Sequence, residues 1–255
     1  MSVVDFSLEG KVAIVTGGSR GIGRSVAIGL AEAGANVAIA ARKPESLEEA
    51  VSAVNATGQK GIAVATNVRR MEELENLVAE TKKQLGRVDI LVNNAATNPV
   101  FGPVANLDER AFDTVMNTNV KSCFFLSKLV RDAIVEQGEG GSIVNVSSNG
   151  GVRASVGLGL YSVSKAALIM MTQVCAKEWG PDGIRVNCIA PGLIKTEFSR
   201  ALWENEATLK NSTANSPLRR IGEADEMAGA VVYFASPSSS FVTGQTLLLD
   251  GGVGA

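Results

Sequence analysis

Apolar residues fall in short, nearly unbroken blocks along this chain, separated by longer stretches in which they recur every three or four positions. Blocks of the first kind read as buried strands, stretches of the second kind as helices. KVAIVTG (11–17) is such a block. Ile22, Val26, Leu30 and Ala33 then share one face of a helix over 21–33, which Gly34 ends. NVAIAA (36–41) is a second strand, and a helix over 45–57 turns Leu47, Val51 and Val54 inward before the strand GIAVATNV (61–68). A helix over 71–85 leads to the strand VDILVNN (88–94), and a long helix over 109–137 leads to SIVNVSS (142–148). A helix over 160–179, the strand IRVNCIA (184–190), a helix over 224–235 and the strand QTLLLD (245–250) complete the run.

Strand and helix alternate throughout, and the strands are apolar on both faces. That pattern predicts a Rossmann-type α/β fold, a doubly wound parallel sheet of about seven strands with helices on both faces. No linker, repeat or low-complexity stretch divides it, so residues 1–255 are expected to form one domain. The least regular stretch, about 191–222, follows a strand's carboxyl end, where open α/β sheets place their sites, and is expected to be a substrate lid.

The first strand–helix turn is TGGSRGIG, Thr16 to Gly23. Glycines there let the backbone turn tightly against a pyrophosphate, and the helix amino terminus offers N–H groups to its charge. A glycine-rich turn without a ligand is the plainer alternative, but the flanking strand and helix favour a dinucleotide. No Gly-Lys-Ser/Thr follows, so the loop is not a Walker A loop. An acid at the end of the second strand would accept the adenosine ribose 2′-hydroxyl of NAD. Here the strand ends in Ala41, Arg42 and Lys43, and Arg20 sits inside the glycine loop. Two guanidiniums can fork onto a 2′-phosphate, so the cofactor expected is NADP.

There is no histidine in the chain. Tyr161 and Lys165, four apart on the predicted helix 160–179, project from one face and offer a substitute. Bringing a phenol from its usual pKa of about 10 to near neutrality needs roughly 4 kcal/mol. One cation at about 4 Å supplies energy of that order at an effective dielectric near 20. By itself Y-x-x-x-K is a weak signal.

Its company is specific. TGGSRGIG, NNAA (93–96), NTNV (117–120), IVNVSS (143–148), YSVSK (161–165) and APGLIKT (190–196) appear in order. With them the chain resembles the short-chain dehydrogenase/reductase family along nearly its whole length. NNAATNPVFGP and RVNCIAPGLIKTEFSRALW are most similar to the NADP-dependent carbonyl and retinol reductases of the peroxisomal type. The resemblance implies catalytic roles for Asn119, Ser148, Tyr161 and Lys165. Tyr161 would be the general acid in reduction and the base in oxidation, and Lys165 would lower its pKa and bond the nicotinamide ribose. Ser148, thirteen residues before the tyrosine, would hold the substrate oxygen, in preference to Ser147. Asn119 would anchor a water relay; a locally satisfied polar group is the alternative. The implied cofactor-binding set is Gly17, Ser19, Arg20, Gly21, Ile22, Gly23, Arg42, Asn67, Val68, Asn93, Ala95, Tyr161, Lys165, Pro191, Gly192, Ile194 and Thr196. Asn67 replaces a common aspartate, Ala96 a common glycine, and Thr196 could also cap the next helix. No metal is expected.

Phe101, Val152, Leu158, Leu193, Phe198, Leu202 and Trp203 are candidates for an apolar pocket wall, each of which could equally be core; Arg153 is the charge nearest to them. The reaction expected is hydride transfer between nicotinamide and a carbonyl or alcohol carbon, with apolar ketones, aldehydes or diketones as substrates. A 3-oxoacyl-(acyl-carrier-protein) reductase is the alternative within enzymes, and a non-catalytic NADP(H)-binding sensor the alternative outside them. A net charge of −2 gives no basic field for nucleic acid, and no apolar run spans a membrane. Three cysteines without metal-ligand spacing suit a reducing, cytoplasmic setting. The resemblance also implies a homotetramer, buried along the helices around 109–137 and 160–179.

Overall fold

Seven parallel strands form the central sheet of the computed structural model, which describes residues 3–254. They are β1 (Val12–Thr16), β2 (Asn36–Ala41), β3 (Gly61–Ala65), β4 (Ile90–Asn93), β5 (Gly141–Val146), β6 (Ile184–Pro191) and a last strand, Thr246–Leu249. The helices between them are α1 (Gly21–Glu32), α2 (Glu48–Asn55), α3 (Met71–Leu85), α4 (Glu109–Met116), α5 (Ser122–Gln137) and α6 (Gly159–Trp179). Between β6 and the last strand lie β7 (Ile194–Lys195), α7 (Arg200–Trp203), α8 (Glu206–Asn215), β8 (Gly222–Glu223) and α9 (Ala228–Ala235), so the last strand is β9. The order across the sheet is β3-β2-β1-β4-β5-β6-β9, with the winding reversing between β1 and β4. A cleft opens at such a reversal, outside the strands' carboxyl ends.

The sheet is apolar on both faces because both are covered. On one side Val26, Leu30, Leu47, Val54, Val231 and Phe234 pack on Ala13, Val15, Val37, Ile39 and Val92. On the other Leu74, Leu77, Leu126, Val130 and Ile134 pack on Ile14, Ala38, Leu91 and Ile143. Each fully buried leucine or isoleucine contributes about 1.5–3 kcal/mol. At the amino end of β1 and β4, the buried Asp89 carboxylate accepts from Val12 N at 2.9 Å and from Arg87 Nε and Nη2 at 2.8 and 2.6 Å. That pin occupies the end of the sheet opposite the cleft.

The structure departs from the sequence pattern in three places. The long helix expected over 109–137 is interrupted: α4 ends at Met116 and a π-helical turn, Asn117–Lys121, precedes α5. The third strand stops at Ala65, short of Val68, because the chain turns there into α3. The stretch 191–222 is more ordered than its sequence suggests, with α7, α8 and the small β7–β8 pair.

A buried polar network crosses the middle of the sheet. Asn93 Nδ2 donates to Ser127 Oγ and to Asn145 Oδ1, both at 2.9 Å, and Asn145 Nδ2 donates to Thr172 Oγ1 at 2.9 Å. It ties β4 and β5 to α5 and α6, the helix that carries Tyr161. Replacing Asn145 by alanine strands one donor of Asn93 and one acceptor lone pair of Thr172 in the interior. The expected cost is about 2–6 kcal/mol, the sum of two lost buried partners, read as a lower urea midpoint at unchanged slope. An unchanged midpoint would mean that the network contributes nothing to folding.

Candidate active site

The cleft is built where β1 and β4 part. Thr16 Oγ1 accepts from Asn94 N at 3.0 Å and Ala95 N at 3.1 Å, while Asn94 Nδ2 donates to Thr16 O and Gly17 O at 2.9 and 3.1 Å. This junction fixes the path of the glycine loop. A Cβ on Gly23 would lie 2.3 Å from Gly17 O and 2.5 Å from Asn94 Nδ2, so only glycine lets α1 start so close to the strand end. Gly17 and Gly21 have φ of 64° and 53°.

The amino terminus of α1 opens into the cleft with no side-chain cap and no acid in its first turn. Its free N–H groups are therefore available to an anion. A cleft of about 530 Å³ runs from there, lined by Ser19, Arg20, Ile22, Arg42, Lys43, Asn67, Val68 and Arg69 at one end and by Ser148, Tyr161, Lys165, Pro191, Gly192, Ile194 and Thr196 at the other. Glycine loop, uncapped helix and elongated cleft fit a dinucleotide.

Nearly all of the expected binding residues line this cleft, Gly17, Gly21, Gly23 and Ala95 included. Asn93 does not: it lies beneath the cleft in the sheet network, and its neighbour Asn94 forms the wall. Thr16 and Asn94 carry the loop geometry and are not among the residues expected; the pairing of a strand-end threonine with a distant asparagine leaves no periodic signal. Asn67 Oδ1 accepts from Arg69 N at 3.2 Å, which turns the chain from β3 into α3 and sets Arg69 on the cleft edge.

At the other end, Ser147 and Ser148 take different positions. Ser147 is buried and its Oγ donates to Lys165 O at 2.8 Å, locking α6 to β5. Ser148 lines the cleft with Tyr161; its Oγ accepts from Gly150 N at 3.1 Å and donates to Asn149 Oδ1 at 3.4 Å. Lys165 is buried and donates through Nζ to Val146 O at 2.7 Å; Nζ stands 5.6 Å from the Tyr161 ring centre.

The expectation that Lys165 lowers the Tyr161 pKa needs correction for the protein by itself. Burial pushes the phenol up to about 12, and the Ser148 side chain opposes this only in part. Burial also lowers the pKa of Lys165. Desolvation exceeds the mutual effect of the pair.

Asn119 lies in the π-helical turn, fully buried. Its Oδ1 accepts from Thr97 N at 2.8 Å, and its Nδ2 donates to Thr97 O at 3.0 Å and Ser164 Oγ at 3.0 Å. Ser164 Oγ in turn donates to Tyr161 O at 2.7 Å. The side chain is thus a clamp between the Thr97 loop and the turn bearing Tyr161.

The lid begins at Thr196, whose methyl side faces Gly21. Thr196 does not cap the next helix; Ser199 occupies the N-cap position of α7, and its Oγ bonds Ile194 O. Trp203 Nε1 donates to Thr196 O at 2.8 Å and Lys195 Nζ sits 5.8 Å over its ring, so Trp203 staples the lid together instead of lining the cleft. Of the expected apolar wall, Phe198 alone lines this cleft, its ring 6.1 Å from that of Tyr161. Leu193 lines a second cavity behind the lid. Arg153 turns away from both and holds Val253 O and Gly254 O.

A seven-stranded sheet of this order, with a glycine-loop cleft and a Ser-Tyr-Lys cluster at its catalytic end, defines a nicotinamide-dependent oxidoreductase of the Rossmann type. The comparisons agree. The family described as Enoyl-(Acyl carrier protein) reductase matches residues 17–254. Dehydrogenase/reductase SDR family member 4 of Oryctolagus cuniculus is 42% identical over 96% of this chain and 94% of its own length. A short-chain type dehydrogenase/reductase from Mycobacterium marinum superimposes with a TM-score of 0.93 at 34% identity, covering 98% of this chain and 97% of that one. A gluconate 5-dehydrogenase from Burkholderia cenocepacia J2315, in complex with NADP and tartrate, gives a TM-score of 0.93 at 32% identity over 98% and 97% of the two chains. The chain belongs to the short-chain dehydrogenase/reductase family.

Proposed function

We propose that this protein is an NADP-dependent carbonyl reductase for ketones, aldehydes or vicinal diketones of modest size and apolar character. The observation that carries the reading is the charge at the adenosine end. Arg20, Arg42, Lys43 and Arg69 all line it, and no acid stands at the end of β2. A 2′-phosphate would meet donors of the right sign there, whereas the 2′-hydroxyl of NAD would find no carboxylate to accept its proton.

The chemistry at the other end follows from the protonation state. The bound nicotinamide would supply the hydride. With its pKa near 12, Tyr161 carries its proton at neutral pH and can donate it to the carbonyl oxygen as the carbon is reduced, giving the alcohol. Ser148, on the same stretch of the cleft wall, would donate to the same oxygen. Lys165 spends one of its three N–H donors on Val146 O, leaving others for the ribose hydroxyls. Asn119 acts through Thr97 and Ser164 to hold the turn.

Phe198 beside Tyr161 supports an apolar substrate face. A hydroxy acid, which the name of the Burkholderia relative suggests, has less support: Lys165 is the one cation among the described residues lining the catalytic end of the cleft, and it is already bonded. Three buried, unpaired thiols support the cytoplasm as the working compartment. Phe112, Phe124, Val163, Met170 and Val174 stand exposed on α4, α5 and α6, which supports burial of those helices in a homotetramer; a monomeric mass by light scattering would count against it.

NADPH should be preferred over NADH in kcat/KM for diketone reduction. Arg42→Asp should cut that preference by about 10- to 150-fold, since one charge-assisted bond contributes about 1.5–3 kcal/mol. Equal ratios in the unaltered enzyme would overturn the cofactor assignment, and a preference for acyl-carrier thioesters would overturn the substrate class.

The pH dependence is the second test. Reduction needs the protonated phenol, so its kcat/KM should stay flat through neutral pH and fall only as pH climbs toward the raised pKa. Alcohol oxidation needs the phenolate and should rise about tenfold per pH unit over the same range. Tyr161→Phe should lower turnover by about 10²–10⁴-fold while NADPH binding holds within about threefold. Turnover surviving within a few-fold would remove Tyr161 from the reaction.

A further inference from the structure

The second cavity, about 740 Å³, lies behind the lid and reaches Ser148 through its neighbour Asn149. Its walls come from four separate parts of the chain, of which the segment after β6 supplies Leu193 and Ile194. The lid end supplies Asn215, Ser216 and Leu218, the turn after β5 supplies Asn149 and Ser155, and the last segment supplies Gly251–Gly254. That last segment is bonded to the lid end and to the chain following the turn after β5. Gly251 O accepts from Leu218 N and from Ser216 Oγ, each at 3.2 Å. Gly254 O and Val253 O accept from Arg153 Nη2 and Nη1 at 2.7 and 3.4 Å. Gly251 and Gly252, with φ of 67° and 88°, make the bend that lets it lie against Pro217.

Arg153 leads straight back to the reacting end. Its backbone N–H donates to Asn149 O at 2.9 Å, closing a turn with Gly151 N to Ser148 O and Val152 N to Asn149 O. Inside that turn Gly150 N donates to Ser148 Oγ at 3.1 Å. The orientation of the Ser148 hydroxyl is thus set by a turn whose outer end is held by the tail carbonyls.

The tail needs that hold. Asp250 Oδ2 is buried without a partner, and a Cβ on Gly254 would lie 2.9 Å from it. Covering a carboxylate oxygen with no hydrogen bond is unfavourable. The tail is held by Gly252 N donating to Asp250 Oδ1 at 3.0 Å and by the Arg153 guanidinium on its last two described carbonyls.

We propose that Arg153 is a positioning residue: through the carbonyls of Val253 and Gly254 it joins the Ser148 turn to the lid end and closes the wall of the second cavity. This rests on the carbonyl-reductase reading for its kinetic consequences, though not for its structural ones. Arg153 touches neither the cofactor cleft nor the second cavity, so its loss should act on the carbonyl substrate and spare the nucleotide.

The test uses Arg153→Ala, Arg153→Lys, a chain ending at Gly252, and Arg153→Ala combined with that truncation. With NADPH and a diketone, Arg153→Ala should raise KM about tenfold and change kcat by less than about threefold, the split expected when binding is lost uniformly. NADPH affinity by fluorescence titration should be unchanged, and Arg153→Lys should recover most of the loss. The truncation should reproduce Arg153→Ala, and the combined variant should add nothing, because both changes cut one link. Additive effects, or an unchanged KM in Arg153→Ala, would overturn the proposal. Hydrogen exchange supplies a readout that needs no turnover: the amides of Gly151, Val152 and Arg153 should exchange about tenfold faster in both single changes. If the unaltered protein reduces no carbonyl yet those amides respond, the link stands and the reductase reading falls. If the amides do not respond, the link itself is wrong.

Discussion

Everything at the cleft depends on the junction of Thr16 with Asn94. A parallel sheet buried on both faces has spare backbone polar groups only at its strand ends, so a site must be assembled there. Thr16 and Asn94 use those groups to bind the ends of β1 and β4 to each other and to the first peptide of the glycine loop. The close fit of Gly23 against Gly17 O follows, and with it the uncapped start of α1 facing the cleft. At the opposite end of the same strands Asp89 pins their starts.

The catalytic end is built in the same manner, by polar groups that spend themselves on backbone. Ser147 holds Lys165 O, Lys165 holds Val146 O, Ser164 holds Tyr161 O, and Asn119 holds Thr97 and Ser164. What is left pointing into the cleft is the Ser148 and Tyr161 hydroxyl pair. A side chain fixed by packing and hydrogen bonds loses little entropy on meeting its substrate, and this is how a short list of buried serines and asparagines serves a reaction they do not touch.

The protonation pattern follows from burial more than from charge pairing. Tyr161 and Lys165 are both desolvated, the phenol upward and the ammonium downward, and each shift favours the neutral form. A neutral phenol is the competent form for donating a proton to a carbonyl. At neutral pH the buried phenol thus holds its proton, ready to give it rather than to take one. Oxidation would require cationic charge brought in with the oxidised nicotinamide.

The sequence by itself determined the fold and the ingredients of the site. Two periodicities separate strand from helix, and the glycine spacing, the missing acid after Ala41 and the Tyr161–Lys165 interval are local facts that survive folding unchanged. Tertiary structure decided what depends on distant partners. Asn93 and Asn94 are adjacent and chemically identical, yet one is sunk in the sheet and the other walls the cleft, because β4 ends at Asn93 and Asn94 lies past the strand's carboxyl end. The π-helical turn at Asn119 carries no periodic signature, since one inserted residue shifts a helix face without changing its composition. Trp203 read as pocket wall or core and Arg153 as the charge nearest the pocket, and both turn to backbone carbonyls, of Thr196 and of Val253 and Gly254. The spacing pointed to a lowered tyrosine pKa and the fold raises it, because spacing gives the neighbour and only the fold gives the solvent.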